Sequence, residues 1–209
     1  MTKNTLGGNP MKIVLIGANG TIGRAVRQEL EQHHEVVIAG RRESDIFVDI
    51  TSPDSIRDMY LSVGEVDAVI SATGETYFGP FKELTPQTND LSINSKLKGQ
   101  VNLVLIGQHF IKDGGSFTLT TGIIMEDPII GGTSAAMVGG AIKSFVESAA
   151  IELPRGIRIN NVSPNVLVES MDKYGPYFQG FVAVPGSKVA KAYVKSVEGA
   201  QTGKTYRVY

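Results

Sequence analysis

Between the β-branched run Ile13 to Ile16 and a helix-patterned stretch, Thr21 to Gln32, the chain carries Gly17-Ala18-Asn19-Gly20-Thr21-Ile22-Gly23, with glycine at every third position. Glycines placed between a strand and a helix permit a tight turn whose backbone approaches a ligand closely. The exposed N–H groups and positive end of the following helix then stabilise a pyrophosphate. In that context the turn predicts a dinucleotide held by Gly17, Asn19, Gly20, Thr21, Ile22 and Gly23. The alternative is a turn that serves only close packing of helix on strand.

The rest of the chain repeats the alternation. Apolar runs at Val36 to Ala39, Ile46 to Val48, Ala68 to Ser71, Phe117 to Thr120, Ile157 to Val162 and Thr205 to Val208 read as strands. Helical patterns fall between them: Pro53 to Val63 behind a Ser52 cap, Thr88 to Ile111, Thr133 to Leu153 and Ser187 to Glu198. Arg42 to Ile46 leaves no room for a helix between the second and third strands. Near-continuous apolar strands separated by helices predict an α/β fold, a doubly wound parallel sheet covered on both faces. Residues 11 to 209 form one domain in this reading, and the polar residues 1 to 10 a leader.

Composition narrows the partner. With 20 basic and 21 acidic residues and a net charge of −1, the chain lacks the basic footprint of a nucleic-acid or membrane-surface binder. The charge-free stretches Gly114 to Met125 and Pro128 to Ile142 are too short and polar to span a bilayer. A small molecule is the expected partner. No cysteine is present, which excludes thiolate chemistry and fits a reducing compartment such as the cytoplasm. His33, His34 and His109 form no triad or metal pattern, and no G-x-S-x-G elbow occurs.

The end of the second strand reports on the ribose. An acid there accepts from a 2′-hydroxyl, whereas arginine forks onto a 2′-phosphate. Gly40-Arg41-Arg42 carries no acid at that point, so NADP(H) is favoured over NAD(H), with Arg41 the contact. Two solvated arginines, one neutralised by Glu43, are the alternative.

The motifs GANGTIG at 17, AGRR at 39, VDIT at 48, SATG at 71, GSFTLTTG at 115, RGIRINNVSP at 155 and TGKTYRVY at 202 resemble those of short-chain dehydrogenases/reductases, from Met11 to Tyr209. The resemblance implies a Rossmann-type sheet of order 3-2-1-4-5-6-7, a nicotinamide dinucleotide and a homo-oligomer built on two long helices. It implies that Asp49 and Ile50 flank adenine and that Ser71, Ala72 and Gly74 line the ribose. The asparagine-rich stretch usual at SATG is missing, and with it a hydrogen bond that steadies the central strands.

The family transfers hydride with a tyrosine acid/base, a lysine that lowers its pKa, a serine and an asparagine. By spacing these positions fall on Ala135, Gly139, Gly122 beside Thr121, and Lys96, so all four are substituted. No tyrosine lies between Tyr77 and Tyr174, so no register restores the pair. Two readings follow. In one, an oxidoreductase uses other groups on an unidentified substrate, the candidates being Lys143, Lys96, Thr121, Tyr77, Tyr174 and Tyr177. In the other, the protein binds nucleotide without turnover, as a redox sensor or a partner's support. Asn165 is expected to take a left-handed turn, Glu169 to face and repel the pyrophosphate, and the aromatic stretch Ser170 to Val184 to cover the substrate. Gly139 and Gly140, each costing about 1 kcal/mol inside a helix relative to alanine, imply a close approach there.

Overall fold

The computed structural model describes residues 9–209, so most of the expected leader lies outside the described residues. Seven parallel strands form one sheet: β1 (Lys12–Ile16), β2 (Glu35–Gly40), β3 (Ile46–Phe47), β4 (Val66–Ser71), β5 (Ile111–Thr120), β6 (Arg158–Pro164) and β7 (Thr205–Val208). Their order is β3-β2-β1-β4-β5-β6-β7, the one the family resemblance implies. The helices are α1 (Thr21–Leu30), α2 (Pro53–Val63), α3 (Pro86–Ser92), α4 (Gly99–Gly107), α5 (Thr133–Ala149), α6 (Met171–Tyr174) and α7 (Gly186–Glu198).

The sheet is apolar on both faces because each strand alternates its side chains between two cores. In β1, Val14 and Ile16 join Ile56, Tyr60, Leu103 and Ile142 beneath α2, α4 and α5. Ile13 and Leu15 point the other way, to Val26 and Leu30 of α1 and Val189 and Tyr193 of α7. Helix α2 starts as expected, with the Ser52 side chain accepting from the Ser55 N–H and Pro53 in the first turn. No helix joins β2 to β3. Instead Asp45 accepts from and donates to Ile38, at 2.9 and 3.0 Å, and closes the connection.

Two expectations need correction. The helix expected over Thr88 to Ile111 begins at Pro86, widens into a π-turn over Ile93–Lys98 and ends at Gly107. Ile111 belongs instead to β5, because Phe110 N–H bonds back to Gly107 and the chain turns there. The helix expected to reach Leu153 stops at Ala149.

The hydrogen bond missing from SATG is replaced. Thr120 Oγ1 donates to the Ser71 carbonyl at 2.5 Å and also meets the Tyr193 hydroxyl, tying β5, β4 and α7 together. Burial without a charged partner raises the Tyr193 pKa, so its hydroxyl stays protonated in this network.

Candidate functional site

The strands β1 and β4 are neighbours, while the chain leaves β1 towards β2 on the other side. A crevice therefore opens at their C-terminal ends, where ligands of such sheets bind. Two cavities occupy it. The first, about 140 Å³, is lined by Gly17, Asn19, Gly20, Arg41, Asp49 and Ile50, together with Thr51, Thr73 and Ser95. The second, about 300 Å³, is lined by Thr21, Ile22, Ala72 and Gly74 on the near side. The start of α1 separates the two, since Gly20 faces one and Thr21 the other.

The glycine turn is built for close approach. Gly17 has φ +85, and a Cβ there would lie 2.6 Å from the Ala72 carbonyl oxygen. Gly20 caps α1 with no side-chain bond, and no acid occupies the first helical turn, so the free N–H groups and helix dipole are open to an anion. These features fit a dinucleotide pyrophosphate. Gly23 and Ser71 line neither cavity: Gly23 is buried against the Gly17–Ala18 backbone, where a Cβ would stand 2.7 Å from Ala18 Cα, and Ser71 is fully buried. The Ser71 hydroxyl has no hydrogen-bond partner among the described residues. The ribose-lining expectation for Ser71 is therefore corrected, and Thr73 stands at the cavity in its place.

Arg41 is exposed and pairs with Glu75 at 2.7 Å across the mouth of the smaller cavity. Its loop is held by Asn19, whose side-chain amide donates to the carbonyls of Arg42 and Glu43 at 3.2 and 3.0 Å. Glu43 is one of two non-glycine residues with positive φ among the described residues, so this bond steadies a strained turn. Asp49 bonds the Thr51 N–H and hydroxyl, which lower its pKa and keep it ionised.

The larger cavity continues past the nucleotide side to Gly122, Ile123, Ile124, Ala135 and Val166, with Phe78, Tyr174 and Phe178 from the covering loops. Of the six candidate groups, Lys96, Thr121 and Tyr174 reach it, and Tyr77, Tyr177 and Lys143 do not. Lys143 turns away to Glu126, 3.6 Å distant, so this candidate does not reach the site. The Glu126 carboxylate accepts from Nε and Nη2 of Arg207 and from the Tyr209 hydroxyl. The Arg207 bonds hold the Glu126 carboxyl down to about 2 and anchor the turn that carries Ile123 and Ile124. Thr121 Oγ1 is committed to Asn161 Oδ1 at 2.7 Å.

Further expectations are corrected. Glu169 does not line the crevice; its carboxylate accepts from Gly186 N–H at 2.9 and 3.1 Å and caps α7. Asn165 lines the cavity without left-handed backbone, its Oδ1 accepting from Val166 N–H. Gly139 is approached by the turn before α5, since a Cβ would sit 3.3 Å from Met125 Cβ.

The sequence reading missed how the loop after β4 is fastened. Ser92 and Ser95, three apart on one helix face, accept from Tyr77 and Glu75 N–H at 2.8 and 2.9 Å. Ser134 of α5 donates to Asn89 Oδ1, and its hydroxyl also meets that of Ser92, each at 2.7 Å. Three-residue spacing of small polar side chains was the available signal.

The chain belongs to the short-chain dehydrogenase/reductase family: residues 12–195 match the family model described as enoyl-(acyl carrier protein) reductase. It is similar to the protein lin1944 from Listeria innocua, with 61% identity, 95% of this chain and 100% of that one covered, and a TM-score of 0.94. L-xylulose reductase of Mesocricetus auratus is 24% identical over 180 residues, 78% of this chain and 74% of that protein. A small-chain dehydrogenase solved with NADPH shares the fold, at 23% identity, a TM-score of 0.84, and coverage of 96% of this chain and 97% of that one. Among the described residues no helix is long and apolar enough to cross a membrane, and no cluster of His, Asp and Glu could hold a metal.

Proposed function

We propose that the protein is an NADP(H)-dependent oxidoreductase that acts on a small molecule in the larger cavity without the family's tyrosine acid on α5. The observation that carries this reading is the convergence of the open α1 N-terminus, the Arg41 loop and a 300 Å³ cavity in one crevice. The nicotinamide dinucleotide, when bound, supplies the hydride. Gly17, Gly20, Thr21 and Ile22 hold its pyrophosphate, with Gly23 allowing α1 to pack close behind. Arg41 exchanges Glu75 for the 2′-phosphate, Asp49 and Ile50 flank adenine, and Ala72 and Gly74 border the ribose. NADPH in a relative of the same fold supports the choice of cofactor.

Ala135 stands in the cavity wall at the position we assign to the family tyrosine, and α5 holds no tyrosine in any register. That observation favours the second reading, a nucleotide-binding protein without turnover. NADPH consumption across a panel of aldehydes, ketones and activated alkenes separates the two. Substrate-dependent consumption is expected; none from any panel member, with nucleotide bound, supports the non-catalytic role. The apolar groove between α4 and α5, with Leu105 half exposed, supports the proposal of a homo-oligomer assembled through these helices.

A further inference from the structure

Among the described residues, Lys96 is the only charged side chain on the wall of the larger cavity. It projects from the π-turn Ile93–Lys98, where the widened helix departs from the regular side-chain spacing. Its backbone is held against the loop after β4. Ser92 and Ser95 fasten the loop after β4 to this helix. Gly74 lies so close that a Cβ there would stand 2.8 Å from Lys96 Cα. The ammonium makes one long bond, 3.4 Å, to the Thr121 carbonyl. None of the ion pairs among the described residues includes it.

Ile123, Ile124, Ala135, Val166, Phe78 and Phe178 form an apolar part of the remaining wall, and its polar groups, among them Thr76, Asn165 and Ser170, are uncharged. Among the described residues no Asp, Glu, Arg or His contributes to it. An ammonium in such a place loses hydration, and burial lowers its pKa to about 8. A ligand carboxylate restores the lost solvation through a charge-assisted hydrogen bond. A single cation balances a monoanion and leaves a dianionic phosphate half compensated. The apolar wall selects the body of the ligand, as in small-molecule sites generally.

We propose that Lys96 is a substrate-recognition residue, and that the cavity takes an apolar monocarboxylate whose carboxylate meets its ammonium. This rests on the oxidoreductase reading for the word substrate, while the anion site itself stands on the cavity alone. The competing source of an anion is the dinucleotide pyrophosphate.

The test uses benzoate and hexanoate as probes, with benzyl alcohol as the uncharged control. Each is titrated by calorimetry into the full chain with and without NADP⁺, in wild type, Lys96→Met and Lys96→Arg. Expected is carboxylate binding in wild type, a loss of about tenfold or more in Lys96→Met, and substantial retention in Lys96→Arg. Benzyl alcohol should respond alike in all three. Thermal melting establishes that each variant is folded, and Lys96→Gln replaces Lys96→Met if the latter is not. Equal carboxylate binding by wild type and Lys96→Met overturns the proposal, as does no binding to wild type. Weaker NADPH binding in Lys96→Met with unchanged carboxylate binding overturns it in favour of the pyrophosphate. Failure of NADPH to bind wild type sinks the oxidoreductase reading, while the carboxylate comparison without nucleotide still decides the anion site.

Discussion

Replacing Gly17 with valine is expected to lower the unfolding free energy by about 2–5 kcal/mol and to abolish nucleotide binding. Two independent costs add. The backbone sits at φ +85, where a β-branched residue is strained by about 1–3 kcal/mol. The new Cβ would also lie 2.6 Å from the Ala72 carbonyl oxygen and 2.8 Å from Thr73 Cβ, at the end of β4. Backbone on both sides is fixed by the sheet, so little room exists to relax. Urea unfolding measures the first effect and NADPH titration of the residual folded protein the second. A stability within about 0.5 kcal/mol of wild type, the range of neutral surface changes, would show that the turn has another conformation.

Gln100→Leu is expected to cost about 2–5 kcal/mol by leaving two buried backbone groups without partners. Gln100 is fully buried in α4, and its amide grips both sides of Thr120: Oε1 accepts from the N–H at 2.8 Å and Nε2 donates to the carbonyl at 2.9 Å. This replaces a strand neighbour. The β4 pairing with β5 ends at Ile70 and Thr118, so Thr120 extends past it. Leucine matches the volume, so the loss is of hydrogen bonding and not of packing. Because Thr121 and Gly122 follow directly into the cavity wall, the variant is also expected to loosen that wall. The readout is a lowered urea midpoint with an unchanged slope; an unchanged midpoint would mean that solvent or another group satisfies Thr120.

The strands were readable because two-faced burial writes them as short apolar runs, and the glycine turn because backbone geometry there demands a residue type. Gly17, Asn19, Gly20, Arg41, Asp49 and Ile50 line one cavity. The π-turn at Ile93–Lys98 was not readable, since an inserted residue in a helix leaves the apolar pattern almost intact. Ile111 was assigned to the helix because Ile106 and Phe110 continue its spacing, while the hydrogen bond that ends the helix has no sequence marker. The Lys143 and Glu169 corrections share one cause. Each side chain found a long-range partner, Glu126 and the start of α7, that position along the chain does not reveal.

The central claim is a dinucleotide site selective for a 2′-phosphate. Calorimetric titration of the wild type and Arg41→Ala with NADPH and NADH tests it most directly. NADPH is predicted to bind more tightly than NADH, and Arg41→Ala to weaken NADPH alone by about tenfold to a hundredfold, the worth of charge-assisted bonds to phosphate. Absence of binding by either nucleotide, or equal loss of both in the variant, would contradict the account.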